Sequence, residues 1–330
     1  MNREQYAAML KDISETHKAG GDTAACIAKY NERYKFMYIY NDNVFKILFG
    51  SPENEKITID FLNAVLGFIG SDCINNLAYI NPALPDAFGK SITSDIVATD
   101  QRLDRIVLEV QHIEDDSYNA RLVLYTAKHT IASRIKGEDY ALQNLNLISL
   151  QMFDGFPNSP NYRHSIRFKN QENEEFYDKQ TITLVEIPKF LKGNFATDNS
   201  RIAQWLRVID GLNNETPVAV PEGTPFALLQ EKAQLSIFTE EFLVSEAMKM
   251  SDHKYELYVE KKHARKEGLE EGRAEGRAEG RAKGLTEGAD AKAREMAAAM
   301  LADGDSVEKV VRISKLPESD VLAIKACLQK

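Results

Sequence analysis

The sequence predicts an α/β fold: a mixed central sheet flanked by helices and followed by a helical tail. Three observations point there. Two stretches, Ser94–Gln111 and His164–Ile187, carry short or alternating apolar runs broken by polar turns, the pattern of β-hairpins. The apolar run Leu145–Phe153 lies between them as one more strand, and segments with helical apolar spacing precede and follow the three. From Gly268 onward the composition changes, and glycine recurs every four residues.

Composition bounds the classes. At 330 residues and 43% hydrophobic, the chain can build one large domain or two ordinary ones. No apolar run approaches the ~20 residues of a bilayer-spanning helix, and Met1–Gly20 is charged rather than signal-like. A cytoplasmic protein with no membrane partner is expected. Cys26, Cys73 and Cys327 are scattered and odd in number, which argues against a disulfide framework or a zinc site.

Taken in order, Met1–Tyr30 has a helical stripe through Tyr6, Met9 and Ile13, broken at Gly20, Gly21 and Asp22, and forms with the aromatic-rich Tyr34–Tyr40 an N-terminal extension over 1–40. Asn41 or Asp42 caps a helix carrying Val44, Phe45, Leu48 and Phe49. Asp42 and Lys46 stand four apart on it, the spacing of a surface ion pair. Ile57–Leu66 is a second amphipathic helix, and Asn81–Asp86, with Pro82 and Pro85, a loop. After the first hairpin, Asp116 or Ser117 caps a helix in which Leu122, Leu124 and Ile131 are expected in the core and Gly137 marks the stop. Glu186 reads as a rim residue paired with Lys189. Arg201–Ile209 and Pro225–Met250 read as helices behind the sheet, completing a main domain over 41–260.

Beyond it, residues 261–290 form a glycine, arginine and glutamate repeat, either a solvated linker helix or a seam for homo-oligomer formation. Residues 291–330 read as a tail of three short helices, Ala293–Leu301, Asp305–Ile313 and Pro317–Leu328, with a capping box at Asp305 and Glu308. It suits a helix-turn-helix-like reader of DNA or a small interaction element, and offers a second route to self-association.

The chemistry concentrates in the first hairpin. Strand side chains repeat every two residues, so Arg105, Val107, Glu109 and Gln111 share one face. If Asp95 points the same way, Asp95 and Glu109 can converge as hard oxygen ligands on Mg²⁺ or Mn²⁺. The net charge of −9 excludes a protein that coats nucleic acid by bulk electrostatics. From Lys261 onward there are 15 basic and 13 acidic residues, leaving 26 and 37 before it, so the body carries about −11. Contact with DNA therefore needs a local patch. Ser117–Lys136 offers Arg121, Lys128, Arg134 and Lys136 without one acid, as a phosphate-contacting face or a solvated one.

The ordered set NDNVFKILFG (Asn41–Gly50), FLNAVLG (Phe61–Gly67), SDIVATD (Ser94–Asp100), LEVQ (Leu108–Gln111), YNARLVLYTAKH (Tyr118–His129), GEDYALQNLNLISL (Gly137–Leu150) and VEIPKF (Val185–Phe190) resembles the PD-(D/E)XK nuclease superfamily, in its recombination-promoting nuclease (transposase) branch. The resemblance implies a restriction-endonuclease-like sheet and metal-dependent hydrolysis of DNA, linked to recombination or transposition. It also implies that Asp42 and Lys46 flank the metal, that the Val110 carbonyl adds a ligand, and that Gln111 stands where the superfamily usually has lysine. An amide orients water but brings no positive charge, so Lys46, four residues after Asp42, or Lys90, five before Asp95, is expected to supply part of it. The alternative is a catalytically inactive nuclease fold kept for DNA binding or protein interaction.

Overall fold

The computed structural model describes residues 1–81, 83–84, 92–112, 114, 117–135, 137, 140–193, 195–250, 273, 276–277, 284 and 288–328. The chain divides into two compact units, Met1–Met250 and Ser251–Lys330.

In the first unit, α1 (Arg3–Lys18) and α2 (Thr23–Arg33) precede α3 (Asp42–Phe49) and α4 (Glu55–Leu66). The α1 stripe Tyr6, Met9 and Ile13 is buried as its spacing predicts, and Asp22 caps α2 by accepting from the Ala25 N–H. The aromatic segment that follows is core, with Tyr34, Phe36, Tyr38 and Tyr40 buried. Asn41 is the cap of α3, its side chain accepting from the Asn43 and Val44 N–H groups. That leaves the Asp42 carboxylate, in the first helical turn, free for other partners.

The sheet is built from β1 (Leu77–Ile80), β4 (Ile96–Asp100), β5 (Arg105–Gln111), β6 (Leu145–Gln151), β7 (Arg163–Lys169) and β8 (Glu175–Glu186), in the order β1-β4-β5-β6-β8-β7. A separate two-stranded ribbon pairs β2 (Ala83–Leu84), inside the stretch Asn81–Asp86 read as a loop, with β3 (Ile92–Thr93) beyond it. The hairpin β4–β5 is antiparallel, as expected, with Ile96 opposite Leu108. Both β5–β6 and β6–β8 are parallel, and β8 returns antiparallel to β7. The second hairpin reaches further than its apolar pattern, because β8 begins at Glu175 inside the acidic stretch, where strand pairing needs no buried side chains.

Both faces of the sheet are covered. Ile106, Leu108, Val110, Ile148, Leu150 and Val185 pack on the larger core, which includes α1, α3, α4 and α7 (Arg201–Asn213). Val107, Leu145, Leu147 and Leu184 point the other way, toward Tyr118 and Leu122 of α5 (Tyr118–Ala132). The core expected on α5 holds for Leu122 and not for Leu124 or Ile131. Leu122 is buried, but Leu124 is 57% and Ile131 75% exposed. The inward stripe is Tyr118, Leu122, Thr126 and His129, and Leu124 lies about 200° around the helix from Leu122.

The helices after the sheet are α6 (Ile187–Lys192), α7, α8 (Pro225–Lys232) and α9 (Glu240–Met250). The expected single stretch Pro225–Met250 is interrupted between α8 and α9, where the Leu235 N–H turns to the Lys35 carbonyl. One glycine locks α3 to the sheet. A Cβ on Gly50 would lie 2.6 Å from the Lys46 carbonyl oxygen and 3.3 Å from Ile96 Cγ1, so only glycine fits where α3 meets the start of β4.

In the second unit, α10 (288–302), α11 (Val307–Ser314) and α12 (Glu318–Leu328) bury Ala297, Val310, Leu316 and Val321 together. The cap of α11 is Ser306, accepting from the Lys309 N–H, one residue beyond the expected Asp305. Of the glycine repeat, Gly276, Gly284 and Gly288 are helical, and Gly268, Gly272 and Gly280 lie outside the described residues. Among the described residues no helix is long and apolar enough to cross a membrane.

Candidate metal centre

The site forms where β4, β5 and α3 meet. Asp95 stands immediately before β4, and its Oδ2 accepts a 2.9 Å hydrogen bond from the Val110 N–H, so the β4–β5 pairing itself fixes the carboxylate beside Glu109. Its Oδ1 lies 3.1 Å from Lys46 Nζ on α3. The surface ion pair read between Asp42 and Lys46 is therefore replaced: Lys46 turns to Asp95, because α3 sits against the start of β4. Asp42 instead has its Oδ1 3.6 Å from His112 Nε2.

The two hairpin carboxylates thus converge, and their electrostatics show it. Burial first, then the Asp95 charge, push the Glu109 carboxyl up to about 8, although the Ser94 hydroxyl and the Asp95 N–H both donate hydrogen bonds to it. Partial burial and the same Asp95 charge push Asp42 up to about 6, with Lys46 opposing. Neighbouring acids raise each other's cost of ionisation, a debt that a divalent cation removes.

Glu109 Oε1 is shielded from solvent and has no hydrogen-bond partner among the described residues. A buried carboxylate oxygen left bare next to a second carboxylate has the chemistry of a hard-cation ligand, so the residues present fit Mg²⁺ or Mn²⁺. Among the described residues no three His, Cys, Asp or Glu side chains close on one point. The set is two carboxylates, with Asp42 beside them rather than converging with them.

Gln111 is half-buried at the end of β5, in register with Gln151 of β6, and it shares the Glu109 face. Lys90 lies outside the described residues. Of the basic residues, Arg121 and Lys128 fall with Tyr125 at helical spacing i, i+4, i+7, along one side of α5. That side faces the acids: burial first, then the charges of Glu109 and Asp95, raise the pKa of the Tyr125 hydroxyl, and Arg121 opposes them. Arg134 is exposed beyond the end of α5, its backbone bridged to Leu142. Lys136 and Asp116 lie outside the described residues, and Ser117 occupies the cap position of α5 without a side-chain capping bond.

Glu186 corrects its rim reading. It does pair with Lys189, but it is 0% exposed. Its Oε1 accepts from the Phe156 N–H at 2.7 Å, and Lys189 Nζ donates to the Phe156 carbonyl at 2.7 Å. The pair clamps both polar groups of one loop residue.

Three further residues have no chemistry assigned by the sequence pattern. His112, directly after Gln111, contacts the Tyr40 carbonyl and Asp42; burial, with Arg3 nearby, holds its imidazole down at about 4. Ser94 and His129 are fully buried and hydrogen-bonded to each other at 3.0 Å, 35 positions apart in sequence. Adjacency to Asp95 could have flagged Ser94, and the helical period shared with Tyr118 and Leu122 places His129 on the packed stripe of α5.

Compared with known families, residues 39–271 match the family described as PD-(D/E)XK nuclease family transposase, well over half of the chain. No curated protein and no solved structure matches it.

Proposed function

The chain belongs to the PD-(D/E)XK nuclease family transposases, and from that premise we propose that it is a metal-dependent DNA endonuclease acting in recombination or transposition. One observation carries the reading: Asp95, bonded to the Val110 N–H, stands beside Glu109, whose Oε1 is buried and has no hydrogen-bond partner among the described residues. Asp95, Glu109 and the Val110 carbonyl would hold Mg²⁺ or Mn²⁺, with Asp42 alongside. Such an ion acidifies a bound water and neutralises charge on the phosphate under attack. The chain's own groups do the rest. Gln111, on the Glu109 face, orients the attacking water through its amide. Lys46, 3.1 Å from Asp95, brings the positive charge that an amide lacks at position 111. Lys90 shares that role by its place five residues before Asp95. Arg121 and Lys128, on the acid-facing side of α5, with Arg134 and Lys136 beyond its end, hold the DNA backbone by its phosphates.

Gln111 also favours a second reading, a nuclease fold kept for binding, because it removes the usual lysine from the centre. Cleavage of supercoiled and linear DNA with Mg²⁺, Mn²⁺ or chelator, in the parent and in Asp95→Ala, decides. Metal-dependent nicking that Asp95→Ala abolishes supports the enzyme. DNA binding without nicking, and no metal bound by calorimetry, supports the second reading instead.

A further inference from the structure

Behind Glu109 runs a chain of buried side chains that the cleavage chemistry has not used. Arg105 opens β5 on the same face as Glu109, four residues earlier. Its Nη1 lies 3.4 Å from His129 Nδ1, and its Nη2 donates to the Ala132 carbonyl at 3.4 Å. On the other side of the ring, His129 Nε2 lies 3.0 Å from Ser94 Oγ. The Ser94 hydroxyl in turn acts on Glu109, favouring its carboxylate form against burial and the Asp95 charge.

Elementary hydrogen-bond chemistry gives this chain a direction. A guanidinium has donors only, so His129 Nδ1 must accept and the ring proton must sit on Nε2. Nε2–H then donates to Ser94 Oγ, which frees the hydroxyl proton for Glu109. Burial, together with Arg105 and Lys128, holds the imidazole down at about 4, which keeps it neutral and its Nδ1 able to accept. The donors arrive at one side of the Glu109 carboxylate while Oε1 stays bare.

We propose that Arg105, His129 and Ser94 form a one-way hydrogen-bond relay that positions Glu109 as a cation ligand, with His129 and Ser94 as positioning residues. The proposal rests on the metal-centre reading above. A ligand held by such a relay keeps one oxygen occupied and turns the other to the ion, and partners of this kind typically change metal affinity about 10–100-fold.

Two measurements on the full chain test it. The first is the ¹⁵N spectrum of the labelled histidines without metal: His129 is expected protonated at Nε2 and bare at Nδ1. The second is Mn²⁺ binding by calorimetry. Ser94→Ala and His129→Leu are each expected to weaken it about tenfold or more. The double variant should be no weaker than Ser94→Ala alone, since both cut one path. His129→Gln, which keeps a donor toward Ser94, should recover most of the affinity, and it carries the test with Ser94→Ala should His129→Leu fail to fold. A proton on Nδ1 overturns the relay. So does parent-like Mn²⁺ binding in the single variants, or a double variant whose loss is the product of the two. A parent that binds no Mn²⁺ overturns the metal-centre reading, and this proposal with it, whereas the other failures leave that reading standing.

Discussion

Two glutamates in one sheet have opposite environments. Glu109 of β5 and Glu186 of β8 lie on the same sheet face: the register pairs Gln111 with Gln151 and Gln151 with Glu186, and Glu109 stands two residues before Gln111. Glu186 has a cation and a backbone donor against it, Lys189 and the Phe156 N–H. Glu109 has hydroxyl and backbone donors on one side, a bare oxygen on the other, and a second carboxylate as neighbour. A buried charge balanced by the protein itself holds the fold together, whereas one left unbalanced stores a cost that only a ligand relieves. Burial alone would have ranked Glu186 first; the partners reverse the ranking.

The strongest way to break this contrast is cleavage. Glu109→Gln is expected to lower metal-dependent DNA nicking by about 10³-fold, the several kcal/mol that a correctly held ion supplies. Glu186→Gln, assayed below its melting transition, should nick DNA within a few-fold of the parent. Equal losses in the two variants would erase the distinction.

Stability should invert the order. Glu186→Gln leaves Lys189 without its counter-charge and is expected to cost about 3 kcal/mol in denaturant unfolding. Glu109→Gln should stabilise the metal-free protein, by about 4 kcal/mol at pH 8. The sign follows from the shift. The folded carboxyl is raised to about 8, above the ordinary value of 4.5, so in that window the folded state holds a proton that the unfolded state has lost. The stability of the parent relative to Glu109→Gln therefore declines as pH rises from about 4.5 to about 8, and the two converge at lower pH. A gap that widens toward acid instead would mean that Glu109 is balanced like Glu186.

The contrast also marks what the sequence could reveal. The β4–β5 hairpin was legible because alternation at Arg105–Gln111 and a polar turn leave little choice of register, and it carried Asp95 and Glu109 to one place. The sheet order was not, since nothing local says that β6 runs parallel to β5. Glu186 misled because Lys189 three residues on resembles a surface pair, and burial depends on a loop that approaches from Phe156. On α5, Leu124 and Ile131 suggested a core stripe, but the packed face includes Thr126 and His129, polar residues whose partners come from elsewhere. Ser94 and His129 meet only in three dimensions, as do Lys46 and Asp95.

The smallest expected effect belongs to Lys46, and it sharpens the comparison with Lys189. Both lysines pair with a carboxylate, yet the Lys46 side chain is 36% exposed and that of Lys189 13%. A half-solvated pair contributes at most about 1 kcal/mol, so Lys46→Ala should leave the unfolding midpoint nearly unchanged. Its influence on cleavage is set by charge near the phosphate, about tenfold or less for one partly screened cation. Lys46→Arg, which keeps the charge, should recover most of the rate, and Lys46→Met, which keeps only the length, should not. Equal rates for Arg and Met at this position would show that Lys46 merely neutralises Asp95 in the metal-free protein, the role Lys189 plays for Glu186.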